Sequence, residues 1–229
     1  MDEGVKIVFT SAGNPKTWTA RLKDHGITVA HVVSSSRFAA KCEAAGVDAI
    51  VAEGFEAGGH NGREETTTLC LIPAVRRVTD LPLMAAGGIA TGEGMLAAMA
   101  LGAEGVQIGT LFALAEESSA HEAFKLHCLA LDEGDTKLLL KKLSPTRLAA
   151  GAFRTAVEEA EAAGADAETM SRLLGKGRAK KGIFEGDLEE GELEIGQASA
   201  LLSDIRPVAE IMDDLIRGYR RAADKSYKL

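Results

Sequence analysis

The sequence contains few aromatic residues, few cysteines and no long apolar run. Aromatic side chains account for only 4% of its 229 residues, and the three cysteines are Cys42, Cys70 and Cys128. The cysteines share no metal-like spacing, so we expect reduced thiols in a cytoplasmic protein and no metal site. No apolar run reaches the roughly 18 residues that span a bilayer. The acidic start, MDEGVKIVFTSAG, lacks the pattern of a signal peptide, so we expect no membrane partner.

Net charge, composition and length further restrict the class of protein. The formal net charge is -8 and no basic face is evident, so we expect no nucleic-acid partner. A hydrophobic fraction of 46%, with 25 glycines, is typical of a globular α/β enzyme and excludes a disordered chain. The length fits one large domain or two small ones.

Apolar stretches of strand length recur through the first half. They are VKIVFTSAG (5–13), ITVAHVV (27–33), VDAIVAEG (47–54), LPLMAAGG (81–88) and AEGVQIGT (103–110). Each is apolar on both faces, which suits a parallel strand covered on both sides. Segments with helical patterns separate them, and the segment after 54 is expected to begin with Arg63, Glu64 and Glu65. The recurrence predicts an α/β fold of βα units with right-handed crossovers.

After Thr110 the pattern changes, and from about Ser119 it predicts helices and loops. Helices are expected over RLAAGAFRTAVEEAEAAG (147–164), DAETMSRLLGKG (166–177) and a last segment from about Gln197 to Ala222. We therefore expect three parts: a βα portion over 1–118, a helical and loop insertion over 119–195, and a closing segment with a C-terminal helix over 196–229.

Two consecutive predicted strands end in glycine. AAGGIA contains Gly87 and Gly88, and QIGT contains Gly109. Glycine lets the backbone approach a ligand closely, and free N–H groups at a strand-to-helix turn attract an anion. In (β/α)8 barrels the phosphate site follows strands 7 and 8. Two such loops in succession favour a phosphate site over simple tight turns.

If these strands are numbers 7 and 8, the strand near Val5 is number 4. Three βα units, on the order of 90 residues, then lie outside this sequence, and a five-stranded sheet would have unpaired edges. Either the chain is an N-terminally truncated barrel containing strands 4 to 8, or the barrel interpretation is wrong.

His60 follows the third predicted strand, in the stretch AEGFEAGGHNG. Catalytic groups of barrels come from the carboxyl ends of strands, and an imidazole can exchange a proton near pH 7. Gly58 and Gly59 would keep its loop close to a flat ligand, Glu53 would face that ligand, and Glu56 would cap backbone N–H groups. The alternative is a solvent-exposed loop histidine. His31 lies inside a strand and is expected to be structural.

The run KGRAKKG contains four cations, Lys176, Arg178, Lys180 and Lys181. Such runs are mostly solvated. The alternative is a docking patch for an acidic partner.

Three stretches, AEGFEAGGHNG, AAGGIATGEGMLAAMALGAEGVQIGT and GDLEEGELEIGQ, resemble one family in their order and spacing. It is the family of FMN-dependent nitronate monooxygenases and type II enoyl-acyl-carrier-protein reductases. The resemblance implies an FMN-binding TIM barrel in which a smaller insertion covers the flavin. It also implies His60 as the active-site histidine of the GGH motif. The cofactor contacts that it implies are Glu53, Gly58, Gly88, the segment Gln107, Ile108, Gly109 and Thr110, and the pair Gly196 and Gln197.

The resemblance leaves three activities open. The segment GDLEEGELEIGQ, followed by a long helix, is closer to the reductases, in which NADH or NADPH reduces FMN and an enoyl thioester receives the hydride. The second is oxidation of a nitronate with oxygen. The third is a non-catalytic remnant. A reductase would also meet an acidic acyl carrier protein, for which the cations of KGRAKKG are the candidate docking patch, and a homodimer is expected.

Overall fold

A computed structural model describes residues 3–225 and contains a five-stranded parallel sheet. Its strands are β1 (Ile7–Thr10), β2 (Thr28–Val33), β3 (Ala49–Glu53), β5 (Leu83–Ala86) and β6 (Gly105–Gln107). They lie side by side in the order β1-β2-β3-β5-β6, and every neighbouring pair is parallel. All five strands predicted from the apolar stretches are confirmed. Because the strands are parallel and in chain order, their carboxyl ends lie at one edge of the sheet.

Helices connect these strands and cover one face of the sheet. They are α1 (Thr19–Asp24), α2 (Ser36–Ala44), α3 (Thr68–Arg76) and α4 (Gly92–Ala100). Their apolar residues form a core with the strands, in which Ile50, Leu71 and Leu83 are almost completely buried. The α/β class is therefore confirmed. The prediction that Arg63 to Glu65 begin a helix is wrong, because α3 begins at Thr68 and Glu65 has a positive φ of 51°.

A small antiparallel sheet, with two of its three strands in the second half of the chain, was not indicated by the sequence. The strands β4 (Gly59–His60), β8 (Thr146–Ala149) and β7 (Thr136–Leu139) lie in that order. The expectation of only helices and loops after Ser119 is therefore wrong. The sheet also shows that His60 is not on a bare loop, since it pairs with Thr146 in β8.

The remaining helices are α5 (Thr110–Ala113), α6 (Glu122–Leu129), α7 (Ala152–Ala162), α8 (Ala167–Leu174) and α9 (Val208–Ala223). A π-helical turn spans Lys180–Phe184, and a 3-10 helix spans Gln197–Leu201. The helix expected over 147–164 therefore begins only at Ala152, because its first residues form β8. The helix expected from Gln197 is interrupted after Leu201 and resumes behind Pro207, whose ring suits a helix start.

Helix α9 packs against α4 at a crossing of two glycines. A Cβ at Gly92 would lie 2.1 Å from the Tyr219 nitrogen, and one at Gly218 would lie 3.3 Å from the Gly92 Cα. The two helix backbones approach closely only because neither position carries a side chain. In the described range, 3–225, the structure has no helix long and apolar enough to cross a bilayer.

Candidate functional site

A cleft of about 410 Å³ opens at the carboxyl edge of the parallel sheet. Its walls come from the loops that follow β1, β2 and β3, and from Ser144 in the loop between β7 and β8. The side of the cleft that faces the sheet contains Glu53, Gly58, His60 and Gln107. This is the volume of a site for a cofactor or a small substrate.

A second pocket of about 90 Å³ adjoins the cleft, and Glu53, Gly58 and Gln107 line both. Its other walls include Gly87 and Gly88, after β5, and Gly109 and Thr110, after β6. Among the described residues, the backbone N–H groups of Gly88 and Gly109 have no hydrogen-bond acceptor. Free N–H groups around a small pocket suit an anionic group such as a phosphate.

The glycines of this region serve two different purposes. A Cβ at Gly109 would meet no atom within 4 Å, so a side chain there would project into the pocket. A Cβ at Gly58, in contrast, would lie 2.4 Å from the Ile195 carbonyl carbon, and one at Gly59 would lie 2.7 Å from the Glu194 Oε2. Gly58 and Gly59 therefore let the segment around Ile195 pack against the loop that follows β3. The sequence had assigned both only to the approach of a flat ligand.

His60 stands at the rim of the cleft and is exposed. Two hydrogen bonds fix the turn that carries it, since the Asn61 side-chain amide donates to the Ala57 and Gly59 carbonyls at 2.9 and 3.1 Å. The Asn61 backbone N–H donates to the Pro145 carbonyl at 2.8 Å. His60 is thus held between the parallel sheet and the antiparallel sheet.

Arg147 stabilises the loop that leads to His60, and the sequence did not indicate this residue. Its side chain is 2% exposed, and its Nε and Nη2 donate to the Phe55 carbonyl at 3.1 and 2.7 Å. The guanidinium carbon lies 4.7 Å from the centre of the Phe55 ring, a cation–π contact. The Nη1 donates to the Thr136 hydroxyl at 3.3 Å. Burial lowers the pKa of Arg147, and the carboxylates of Glu56 and Glu65 partly oppose this.

Glu56 ties the loops after β3 and β5 together. Its carboxylate accepts hydrogen bonds from the Thr68 backbone N–H at 2.9 and 3.1 Å. The Thr68 hydroxyl lies 2.8 Å from the Gly87 carbonyl. The expectation that Glu56 caps backbone N–H groups is therefore confirmed.

Gly196 and Gln197 contact the site through their backbone. The Gly196 N–H donates to the Thr110 hydroxyl at 3.1 Å, and the Gln197 N–H donates to the Glu56 carbonyl at 2.9 Å. Neither residue lines the cleft or the smaller pocket, although the adjoining Ala198 lines the smaller pocket. The Ile108 side chain packs among core residues of the sheet, and the pockets do not include it.

Three carboxyl groups near His60 have raised pKa values. Burial raises the pKa of Glu53 to about 7. Burial, and then repulsion from Glu194, raises the pKa of Glu192 to about 7, while His60 and Arg178 oppose the rise. Burial also raises the pKa of Glu194. Glu53 and Glu192 therefore exchange protons near neutral pH, a property that is common at functional sites.

The structure brings most of the predicted site residues together. His60, Glu53, Gly58 and Gln107 line the cleft, while Gly87, Gly88, Gly109 and Thr110 line the smaller pocket. His31 is buried in β2, where its Nδ1 lies 2.7 Å from the Thr10 hydroxyl, as expected for a structural histidine, and it also lines the cleft. Lining residues that the sequence did not indicate are Ser11, Ala12, Gly13, Phe38, Asn61 and Ser144. These residues line the cleft because their loops meet in the folded chain, and no local sequence pattern specifies that meeting.

Comparisons with known proteins agree with this geometry. A model of the nitronate monooxygenase family matches residues 1–218. A probable nitronate monooxygenase of Staphylococcus aureus (strain JH9) is 34% identical over 206 residues, which is 86% of this chain and 57% of that protein. A 5-hydroxy-7a-methyl-1-oxo-octahydro-1H-indene-4-carboxyl-CoA dehydrogenase of Rhodococcus jostii (strain RHA1) is 28% identical over 93% of this chain and 70% of its own length.

Among solved structures, FabK from Thermotoga maritima superposes with a TM-score of 0.91 at 38% identity. The superposition covers 97% of this chain and 70% of FabK. The chain thus spans little more than half of the staphylococcal relative, and over that part it has both the family's pattern and the fold of a solved neighbour. It belongs to the nitronate monooxygenase family.

Proposed function

We propose that this chain provides the cofactor and substrate sites of an FMN-dependent oxidoreductase. The observation that carries the proposal is the continuity of the two pockets through Glu53, Gly58 and Gln107. A phosphate-sized pocket with free N–H groups opens into a cleft of about 410 Å³. One molecule with a phosphate at one end and a flat ring at the other would fill both.

The residues present fit FMN. Gly88 and Gly109 would hold its phosphate through their N–H groups, and Glu53, Gly58 and Gln107 would lie along the ring. When bound, FMN supplies hydride transfer between a reductant and an acceptor, and the protein supplies binding, orientation and electrostatics. The match of a family whose sequence pattern implies this cofactor also supports the proposal.

The role proposed for His60 is to orient the acceptor and to supply a proton to it. The imidazole is exposed at the rim of the cleft while its backbone is held by β8, so it can reach a substrate from a fixed position. A Glu192 carboxyl with a pKa of about 7 lies close enough to interact with the charge of His60.

For the substrate we favour an enoyl thioester, with NADH or NADPH as the reductant. Similarity to FabK at 38% identity over 97% of this chain supports this choice, as does the segment GDLEEGELEIGQ. Oxidation of a nitronate is the second candidate, because the relative in Staphylococcus aureus carries that name. A non-catalytic role is the third.

An acyl carrier protein and a homodimer remain predictions. Of the four cations of KGRAKKG, Arg178 is bound inside the chain, since its Nη1 donates to the Glu190 carbonyl at 2.6 Å and its Nε to the Leu174 carbonyl at 2.9 Å. Lys180 pairs with Glu185 at 2.9 Å. A carrier protein at this run would therefore meet mainly Lys176 and Lys181, which are exposed.

The experiment begins with flavin. The purified protein is expected to bind FMN and to show its absorbance. Under anaerobic conditions NADH should reduce that flavin, and crotonyl thioester should reoxidise it. Aerobic turnover of a nitronate without turnover of the thioester would favour the second candidate. Absence of FMN binding would favour the third.

A further inference from the structure

One exposed surface beside the cleft combines aromatic rings with unpaired cations. We call it the aromatic–basic rim, and it consists of Lys16, Trp18, Arg21, Arg37, Phe38 and Lys41. Trp18, the single tryptophan of the chain, is 54% exposed, and Phe38 is 38% exposed. The guanidinium of Arg21 lies 6.0 Å from the Trp18 ring, and the ammonium of Lys41 lies 5.8 Å from the Phe38 ring.

The rim borders the mouth of the cleft. Phe38 lines the cleft itself, and so do Ser11 to Gly13, which lead directly into the 3-10 turn Pro15–Thr17 before Trp18. That turn packs against α2, the helix that carries Arg37, Phe38 and Lys41. A ligand whose reactive end lies near His60 could therefore extend out of the cleft past Phe38.

The charge of the rim differs from that of the whole chain. Residues 14–46 contain five lysines and arginines but only two acidic residues, in a chain whose net charge is -8. Within residues 3–225, Lys16, Arg21, Arg37 and Lys41 form no ion pair. Lys23, the fifth cation, is paired with Asp48. The turn Pro15–Thr17 contacts both α1 and α2, so the segments that carry these four cations are neighbours in the fold.

We propose that the aromatic–basic rim binds the nucleotide end of a coenzyme A thioester whose acyl end enters the cleft. This inference rests on the proposed function, and it names the substrate as a coenzyme A ester. Adenine stacks on exposed aromatic rings. Arginine and lysine beside those rings would neutralise the phosphates, which carry several negative charges. Two rings, each with its own cation, match a ligand that has both a flat base and phosphates.

Trp18 makes the binding directly observable without any reaction. The purified protein is titrated with adenosine 3′,5′-bisphosphate, the probe for the nucleotide end, while tryptophan fluorescence is recorded. We expect saturable quenching that weakens as the salt concentration rises, because phosphate contacts are screened. The same titration with inorganic phosphate should give no saturable change. The double variant Arg21→Ala/Lys41→Ala should bind the probe at least about tenfold more weakly.

A matched control removes two positive charges elsewhere. Arg77 and Arg220 are exposed and unpaired among the described residues, so Arg77→Ala/Arg220→Ala has the same change in net charge. This variant should bind adenosine 3′,5′-bisphosphate as the wild type does. An equal loss of affinity in both double variants would reduce the effect to net charge and overturn the proposal.

A kinetic comparison separates this inference from the proposed function. Trp18→Ala should raise the KM for crotonyl-CoA about tenfold and leave the KM for crotonyl-pantetheine, which lacks the nucleotide, unchanged. An inactive protein whose tryptophan still responds to adenosine 3′,5′-bisphosphate would contradict the proposed function but not the rim. Equal KM values for both esters in the wild type would overturn the proposed role of the rim. So would the absence of a fluorescence response to adenosine 3′,5′-bisphosphate. Rim variants that weaken only an acyl carrier protein substrate would assign the surface to a protein partner and also overturn it.

Discussion

The two walls of the cleft are built in different ways. The first half of the chain supplies the wall from the parallel sheet, and its buried polar side chains are uncharged, Thr68 among them, while Glu53 in the cleft is only partly buried. The second half of the chain, which supplies the other wall through Ser144, contains every buried charged side chain of the described residues, namely Lys125, Arg147 and Glu192. The first wall therefore depends on the absence of side chains at its glycines, and the second depends on the presence of charges.

Two of these three side chains hold neighbouring carbonyl groups. Lys125 donates to the carbonyls of Ala115 and Ser118 at 2.6 and 3.0 Å and closes the end of α5. Arg147 holds the Phe55 carbonyl on the loop that carries His60. A buried donor that satisfies carbonyls is costly to remove, because the carbonyls then lack a partner. Substitutions in the two walls should therefore have different effects. Those in the first wall should lower FMN affinity, and those in the second should lower the free energy of unfolding.

His60 lies where the walls meet, and its loss should have the largest effect. Its position at the rim makes it a contact for the acceptor rather than for the phosphate. His60→Ala should retain FMN and its reduction by NADH, while transfer to an enoyl thioester falls by about 10²- to 10⁴-fold. Stopped-flow absorbance times the two half-reactions separately. Reoxidation by the enoyl thioester at the wild-type rate would show that His60 is a bystander.

The first wall should lose its affinity for FMN when a side chain is added at one of its glycines. A valine side chain at Gly109 would project into the smaller pocket, since its Cβ meets no protein atom within 4 Å and its φ of -94° suits any residue. Gly109→Val should fold normally and lower FMN affinity by about 100-fold or more, because the phosphate site is filled. The affinity is measured by quenching of FMN fluorescence.

Gly105, at the start of β6, provides the control for Gly109→Val. A Cβ at Gly105 would meet only Met84 Cγ, at 3.6 Å, an ordinary contact. Gly105→Ala should therefore bind FMN like the wild type. If Gly109→Val also binds FMN normally, the smaller pocket does not hold the phosphate.

The second wall should fail when a charge is removed. Arg147→Met fills similar space but leaves the Phe55 carbonyl and the Thr136 hydroxyl without this donor. We expect the free energy of unfolding to fall by about 2–4 kcal/mol. Denaturant unfolding measures it, and Arg63→Ala is the control, since Arg63 donates to the Leu143 carbonyl from an exposed position. A loss below about 0.5 kcal/mol in Arg147→Met would mean that the loop is held by other contacts.

Replacing Glu53 should have the smallest effect, a change in how the free energy of unfolding depends on pH. Its pKa rises from 4.5 to about 7 on folding, so the folded protein holds a proton that the unfolded chain releases between these values. Stability should therefore fall as pH rises from about 4.5 to 7, by at most about 3 kcal/mol, and stay constant above. Glu53→Gln should remove this part of the pH dependence and be more stable than the wild type at pH 8. Parallel pH profiles of the two proteins would contradict it.

The sequence predicted the first wall because the parallel strands are apolar on both faces and end in glycine. It did not predict β7 and β8, whose segments TKLL and TRLA are only four residues long and carry a charge. TRLA also precedes a true helix, which masked it. Arg147 was missed for a related reason, since its partner Phe55 lies 92 residues away in the chain. Such a pairing depends on tertiary contacts that local periodicity does not encode.

The most direct test of the proposed FMN site is a crystal structure of the protein with FMN. We expect the phosphate against the N–H groups of Gly88 and Gly109, and the ring in the cleft between Glu53 and His60. Flavin bound with its phosphate away from these two glycines, or with its ring outside the cleft, would contradict it.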